Sequence, residues 1–197
     1  VFRQNIDNIK HLMNLVELEV FDAAVHEFVQ ARHIVVVGGG LSASPAVFLS
    51  HSLKVMGFNV HETTTGGVPL SLERSMLGPE DLLVAVGFWR YFRHIVDAMR
   101  WAKTRGTPMI AVTDSEVSPL AQLADYAFIA STDSIGHSVS PLAATALMEA
   151  FVAALSFERP LDTLAALREV DTAYRESGLL IDGAVQRPSE DAEKERI

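Results

Sequence analysis

The stretch His33–Met56, HIVVVGGGLSASPAVFLSHSLKVM, constrains this chain more than any other. An apolar β-branched run, Ile34 to Val37, meets three glycines, then small hydroxyl residues, then Ser44-Pro45. Proline at a first helical position behind a serine that can cap it predicts a helix opening there. A strand that enters a helix through glycines leaves backbone N–H groups and the positive end of the helix dipole facing one point. Such a point suits an anion. A dinucleotide fingerprint would need a further glycine where Ala43 stands, and Glu62 is only a weak candidate for the isolated acidic residue that should close a following strand as a ribose clamp. The ligand expected is small, polar and anionic, with no cofactor.

Apolar and helical signals alternate along the rest of the chain. Strands are expected at 33–38, 58–62, 82–87, 108–113 and 125–130. Helices are expected from 4 to about 20, from a cap at Asp22 to near Ala31, and at 44–56, 69–76, 91–105, 118–124, 139–157 and 160–176. Continuously apolar strands such as LLVAV and MIAV are buried on both faces, which requires a parallel sheet under helices. The fold class is therefore α/β: a three-layer α/β/α sandwich on a five-stranded parallel doubly wound sheet, with ligands at the carboxyl ends of the strands. Residues 1–31 read as N-terminal helices packing on a domain at 32–178, and 179–197 as a polar, disordered tail. Starting at Val within a helical pattern, the chain reads as a piece of a longer protein.

Composition removes several function classes. The chain has 197 residues, 49% of them hydrophobic, enough to bury one core. It has no cysteine, so there are no disulfides or thiolate metal ligands, which fits a cytoplasmic setting. No apolar run is long enough to span a membrane. A net charge of −9 argues against these residues gripping nucleic acid themselves. The seven histidines are scattered without H-x-x-x-H spacing, so no metal site is expected.

Several segments together resemble a known family, the SIS (sugar isomerase) domain in the form found in RpiR/MurR-type transcriptional regulators. The resemblance runs from residue 5 to about 157. It rests on ARHIVVVGGGLS, LKVMGFNV, the DLLVAVGFWRYFR block and STDSIGHSVSPLAATALMEA, and above all on A-K-x-x-G-x-x-x-I-x-x-T-D-x-x-x-S-P-L-A-x-x-A-D (Ala102 to Asp125). It implies a flavodoxin-like strand order and an effector-sensing domain for a phosphosugar, sugar acid or related carbohydrate derivative. The domain would be a homodimer or tetramer, and would reach DNA only through an N-terminal helix-turn-helix domain absent from this chain. The alternative use of the fold is a phosphosugar aldose–ketose isomerase.

The resemblance also points to residues. Ser42 falls on the family's ligand serine, beside the free N–H groups after Gly40, while Ser44 caps the helix or does both jobs. Family members that bind phosphate read S-x-S-G-x-T after the third strand, where this chain places Gly87, Trp89, Arg90 and Phe92. The hydroxyl cradle is replaced by Arg90, Tyr91 and Arg93, similar to an F-P-R-Y-S-R subgroup. Two cations at a helix N-terminus oppose its dipole, which implies an anionic partner. Thr63, Thr64 and especially Thr65 follow the second strand. Ser134, His137 and Ser138 are expected to close over the ligand. The Ser-Pro pair at Ser118 is assigned to structure. The helix from residue 141 is apolar nearly all round and is expected to meet a second subunit. An isomerase would draw its base from Glu149, Glu62, His51, His61 or His137, yet no acid–base pair stands at a recognisable spacing.

Overall fold

A computed structural model describes residues 1–178. Five strands, β1 (Ile34–Gly38), β2 (Val60–Thr63), β3 (Leu82–Gly87), β4 (Met109–Thr113) and β5 (Tyr126–Ile129), form one sheet in the order β2-β1-β3-β4-β5. All four pairings are parallel, with Ile34 opposite both Val60 and Leu82, Leu83 opposite Met109, and Ile110 opposite Tyr126. The expected fold class and strand order are those observed.

Strand alternation sorts the apolar side chains into two cores. Ile34, Val36, Val84 and Ile110 face the layer of α1 (Phe2–Leu15), α2 (Leu18–Gln30), α3 (Ala43–Val55) and α6 (Leu142–Glu158). Val35, Val37, Leu83 and Ala111 face α4 (Val68–Met76) and α5 (Arg93–Thr104). In the first layer Phe21 stacks on Phe151 at 4.7 Å between ring centroids, with Phe28 and Phe128 packed around the pair. Strand order reverses direction between β1 and β3. The crevice at their carboxyl ends is the switch point where doubly wound sheets take ligands.

Four local expectations need correction. The first helix stops at Leu15, because Val16 turns extended and packs on the core. The second helix starts at Leu18 rather than behind Asp22. Residues 118–124 form turns, not a helix. Ser118 Oγ accepts the Ala121 N–H at 3.0 Å and the chain passes directly into β5, leaving too few residues to repay helix nucleation. Helix α6 opens at Leu142, three residues later than expected. Its apolar residues Ala144, Leu147, Met148, Phe151 and Leu155 are buried against α1, α2 and α3 of the same chain, so they do not require a second subunit. The helix α7 (Pro160–Glu176) has the expected bounds. The tail expected to be disordered, 179–197, lies outside the described residues. No helix among the described residues is long and apolar enough to cross a membrane.

Candidate functional site

The glycine turn after β1 is dictated by close approach. A Cβ on Gly38 would stand 2.6 Å from the Ser42 carbonyl oxygen and 2.8 Å from Ala46 Cβ, so only glycine lets α3 fold back on the strand this tightly. Gly40 adopts φ +58°, the left-handed region that glycine enters freely. A short 3-10 turn, Gly40–Ser42, then leads into α3. Ser44 lies within the first turn of α3 rather than capping it: its hydroxyl donates back to the Leu41 carbonyl at 3.0 Å and is exposed. Its expected capping role is therefore corrected, since the 3-10 turn starts the helix one residue earlier.

Ser42 is 5% exposed. Its Oγ accepts the backbone N–H of Phe88 at 3.3 Å, tying the β1 turn to the start of the loop after β3. That loop is built around an unusual residue. Arg90 is the one non-glycine with positive φ among the described residues, at +72°. A non-glycine side chain there costs on the order of 1–2 kcal/mol, and persists only where neighbours impose it. Here the neighbour is Asp114, at the carboxyl end of β4. Its Oδ2 accepts the Trp89 N–H at 2.9 Å and its Oδ1 accepts the Tyr91 hydroxyl at 2.7 Å. One carboxylate thus holds the residues on both sides of Arg90. Tyr91 is pushed up to about 12 by burial, and then by the Asp114 carboxylate that accepts its proton. The Arg90 guanidinium lies 4.9 Å from the Trp89 ring centroid, and neither Arg90 nor Arg93 forms an ion pair among the described residues.

Phe92 and His94 connect a third loop. The Phe92 ring lies against the glycine turn, where a Cβ on Gly39 would stand 2.9 Å from Phe92 Cδ2. The His94 ring sits 5.4 Å from it, and a Cβ on Gly66 would stand 3.0 Å from His94 Cγ. The loop after β2 carries Thr65, exposed, whose carbonyl accepts the Thr63 hydroxyl at 2.8 Å. Contacts therefore join the loops after β1, β2, β3 and β4, which carry Gly40, Ser42, Thr65, Arg90 and Tyr91, at the carboxyl end of the sheet. Ser134 and Ser138 lie in the segment between β5 and α6. Ser134 Oγ accepts the nearby Gly136 N–H at 3.2 Å, and the segment is tied to α1 where Asn8 donates to the Asp133 carbonyl. Among the described residues, no hydrogen bond joins Ser134 or Ser138 to Ser42 or to the Arg90 loop.

Asp114 and Phe92, which join the loops, are not among the expected site residues. Asp114 lay inside the T-D of the long motif, and a carboxylate closing a strand at a switch point was the available signal. Phe92 fills the place of a family threonine, and only the fold shows its ring on Gly39. The isomerase base candidates do not converge. Glu149 is exposed on α6. Burial would raise Glu62, but hydrogen bonds from the Lys54 ammonium and the Ser50 hydroxyl outweigh it and hold the carboxyl below its ordinary value, unlike a base poised near neutrality.

Residues 27–157 match the SIS domain family. The chain is a SIS domain. The SIS domain is similar to the sugar isomerase domain of an RpiR transcription factor from Sphaerobacter thermophilus, 41% identical, with a TM-score of 0.85 over 87% of this chain and 96% of that one. It belongs with these RpiR-type domains. The same fold is seen in Vibrio vulnificus NanR complexed with ManNAc-6P, 19% identical, with a TM-score of 0.80 over 91% of this chain and 68% of that one. A 24% identical relative is an uncharacterized HTH-type transcriptional regulator of Haemophilus influenzae, matched over 68% of this chain and 49% of that protein. The SIS domain thus spans about half the length of this curated relative.

Proposed function

We propose that this SIS domain is the effector-binding part of a cytoplasmic transcriptional regulator, sensing an anionic carbohydrate derivative without turning it over. DNA would be contacted by a helix-turn-helix domain attached to it, and the domain would work as a homodimer or tetramer. The observation that carries the reading is Arg90, held in a strained backbone conformation two residues beyond Phe88, whose N–H donates to Ser42, with no carboxylate partner among the described residues. Strain of this kind is kept where a side chain must be aimed. Its planar fork suits a phosphate or carboxylate, and the Gly40 turn adds backbone donors.

Two comparisons support the same direction: the RpiR transcription factor domain and NanR, whose structure holds ManNAc-6P. The altered β3 loop leaves the choice between a sugar phosphate and a sugar acid to Arg90 rather than to a hydroxyl cradle. Calorimetric titration with ManNAc-6P, other sugar phosphates and sugar acids tests the reading. Saturable binding by one of them is expected, weakened in Ser42→Ala and Arg90→Ala. Binding that neither substitution changes would place the site elsewhere. Slow conversion of a bound sugar phosphate to its ketose isomer would instead favour an isomerase.

A further inference from the structure

At the opposite end of the sheet, three side chains that are far apart in sequence come together. His33 precedes β1, His61 lies on β2 opposite Val35, and Glu73 lies on α4. His61 Nδ1 stands 3.1 Å from Glu73 Oε1, His33 Nε2 stands 3.8 Å from Glu73 Oε2, and the three donor atoms all lie within 4.8 Å of one another. The two rings meet edge to face at 5.2 Å.

We propose that His33 Nε2, His61 Nδ1 and the Glu73 carboxylate form a binding site for one divalent transition-metal cation of the zinc class. Two nitrogens and a carboxylate are a zinc-type donor set. With metal–ligand bonds of about 2.0–2.1 Å, tetrahedral geometry places donors about 3.3 Å apart, so one donor from each residue, all within 4.8 Å of one another here, comes into range with shifts of about 1.5 Å or less. A second observation is independent of that spacing: Glu73 Oε2 is buried and has no hydrogen-bond partner. Leaving such an atom unsatisfied is costly, and a cation between it and His33 would relieve the cost. The His61 side chain is 56% exposed, so the fourth position opens to solvent and water.

The site would be structural rather than part of effector chemistry. His33 lies at the amino end of β1, whereas Ser42 follows its carboxyl end. Its cation would fasten α4 to β1 and β2, and α4 begins directly after the Thr65–Gly67 loop. The expectation of no metal arose because spacing along the chain carries no trace of a cluster assembled from two strands and a helix.

The test uses the full chain, treated with chelator and desalted, then titrated with Zn²⁺ calorimetrically at about pH 7.5, where free histidine is neutral. One equivalent should bind, and the melting temperature should rise with Zn²⁺ as mass action requires. Co²⁺ in place of Zn²⁺ should give the visible absorption of a low-coordinate nitrogen–oxygen site. His61→Ala and Glu73→Gln should each weaken binding at least tenfold, while His137→Ala, an exposed histidine elsewhere, should not. His61 is largely exposed, so its alanine variant should fold even if the Glu73 variant does not; circular dichroism checks both. Failure of the wild type to bind one equivalent, or binding by His61→Ala as tight as wild type, would overturn the proposal. None of these readouts involves a carbohydrate, so the result is independent of the effector reading.

Discussion

The two loops that face each other across the switch point are built on opposite principles. The turn after β1 is made of backbone: Gly38 is required by close approach, Gly40 by its positive φ, and its groups on offer are N–H donors and one buried hydroxyl. The loop after β3 is made of side chains: Asp114 clamps Trp89 and Tyr91 and forces Arg90 into a conformation that glycine would adopt freely. The first loop offers backbone N–H groups, which suit anions generally. The second carries Arg90, which forms no ion pair among the described residues. Specificity within one fold is therefore expected to be written in the β3 loop, with the β1 turn as its constant partner.

The largest effect that would break this contrast is on stability. Gly38→Val forces a side chain into the space held by the Ser42 carbonyl and Ala46. It should cost about 3 kcal/mol, or roughly 6–12 °C in melting temperature for a chain of this size. A thermal scan that finds the variant as stable as wild type would show that the turn is not backbone-limited. Arg90→Ala should do the reverse. Its stability should fall by no more than about 1 kcal/mol, from the lost Trp89 stack, while effector affinity falls roughly ten- to a hundredfold, corresponding to about 1.5–3 kcal/mol for a charged hydrogen bond. Arg90→Lys should recover only part of that loss, because the planar fork is missing.

A smaller effect separates strain from recognition at the same residue. Arg90→Gly removes the left-handed penalty, but adds backbone freedom to the unfolded chain and loses the Trp89 stack. Those terms are each on the order of 1 kcal/mol and oppose one another, so unfolding should shift by less than about 1 kcal/mol either way. Binding should be as weak as in Arg90→Ala. A marked loss of stability in the glycine variant would mean that Arg90 is there for folding, and the contrast between the loops would fail.

These outcomes bear on how much a sequence can disclose. The strands and their parallel, twice-covered sheet followed from apolar runs such as LLVAV, because burial on two faces leaves a direct imprint on composition, whereas the strand order came from the family resemblance. The β1 turn was legible for the same reason, since glycine has few other causes. Arg90 was visible as an anomaly against the family pattern. Asp114 and the ring of Phe92 on Gly39 were not, because a clamp between two strands depends on register, and register has no local signature. The α1–α2 break at Val16 was missed because apolar spacing continues through it. The apolar character of α6 is accounted for in part by α1, α2 and α3 of the same chain, while Leu142 and Phe157 on it stay exposed.

The smallest expected effect probes the clamp itself. Tyr91 in the folded chain ionises at about 12, raised first by burial and then by the Asp114 carboxylate. Tyr126 is raised as well, by burial and its hydrogen bond to Glu27. An unfolded tyrosine ionises near 10, so above that pH the unfolded chain releases protons that the folded chain retains. The Tyr91 contribution to stability is thus fully present below about pH 10 and is lost as pH rises towards about 12. Asp114→Asn keeps an acceptor for the Trp89 N–H but removes the charge. Phenolate absorption should then show Tyr91 ionising at lower pH, though still above an unfolded tyrosine, because burial remains. The difference in stability between wild type and Asp114→Asn should shrink over the same alkaline range. With the loop less firmly held, Arg90 should lose part of its aim, and effector affinity should fall by less than in Arg90→Ala. An unchanged Tyr91 titration in Asp114→Asn would remove the clamp from the account, and with it the reason for Arg90's backbone conformation.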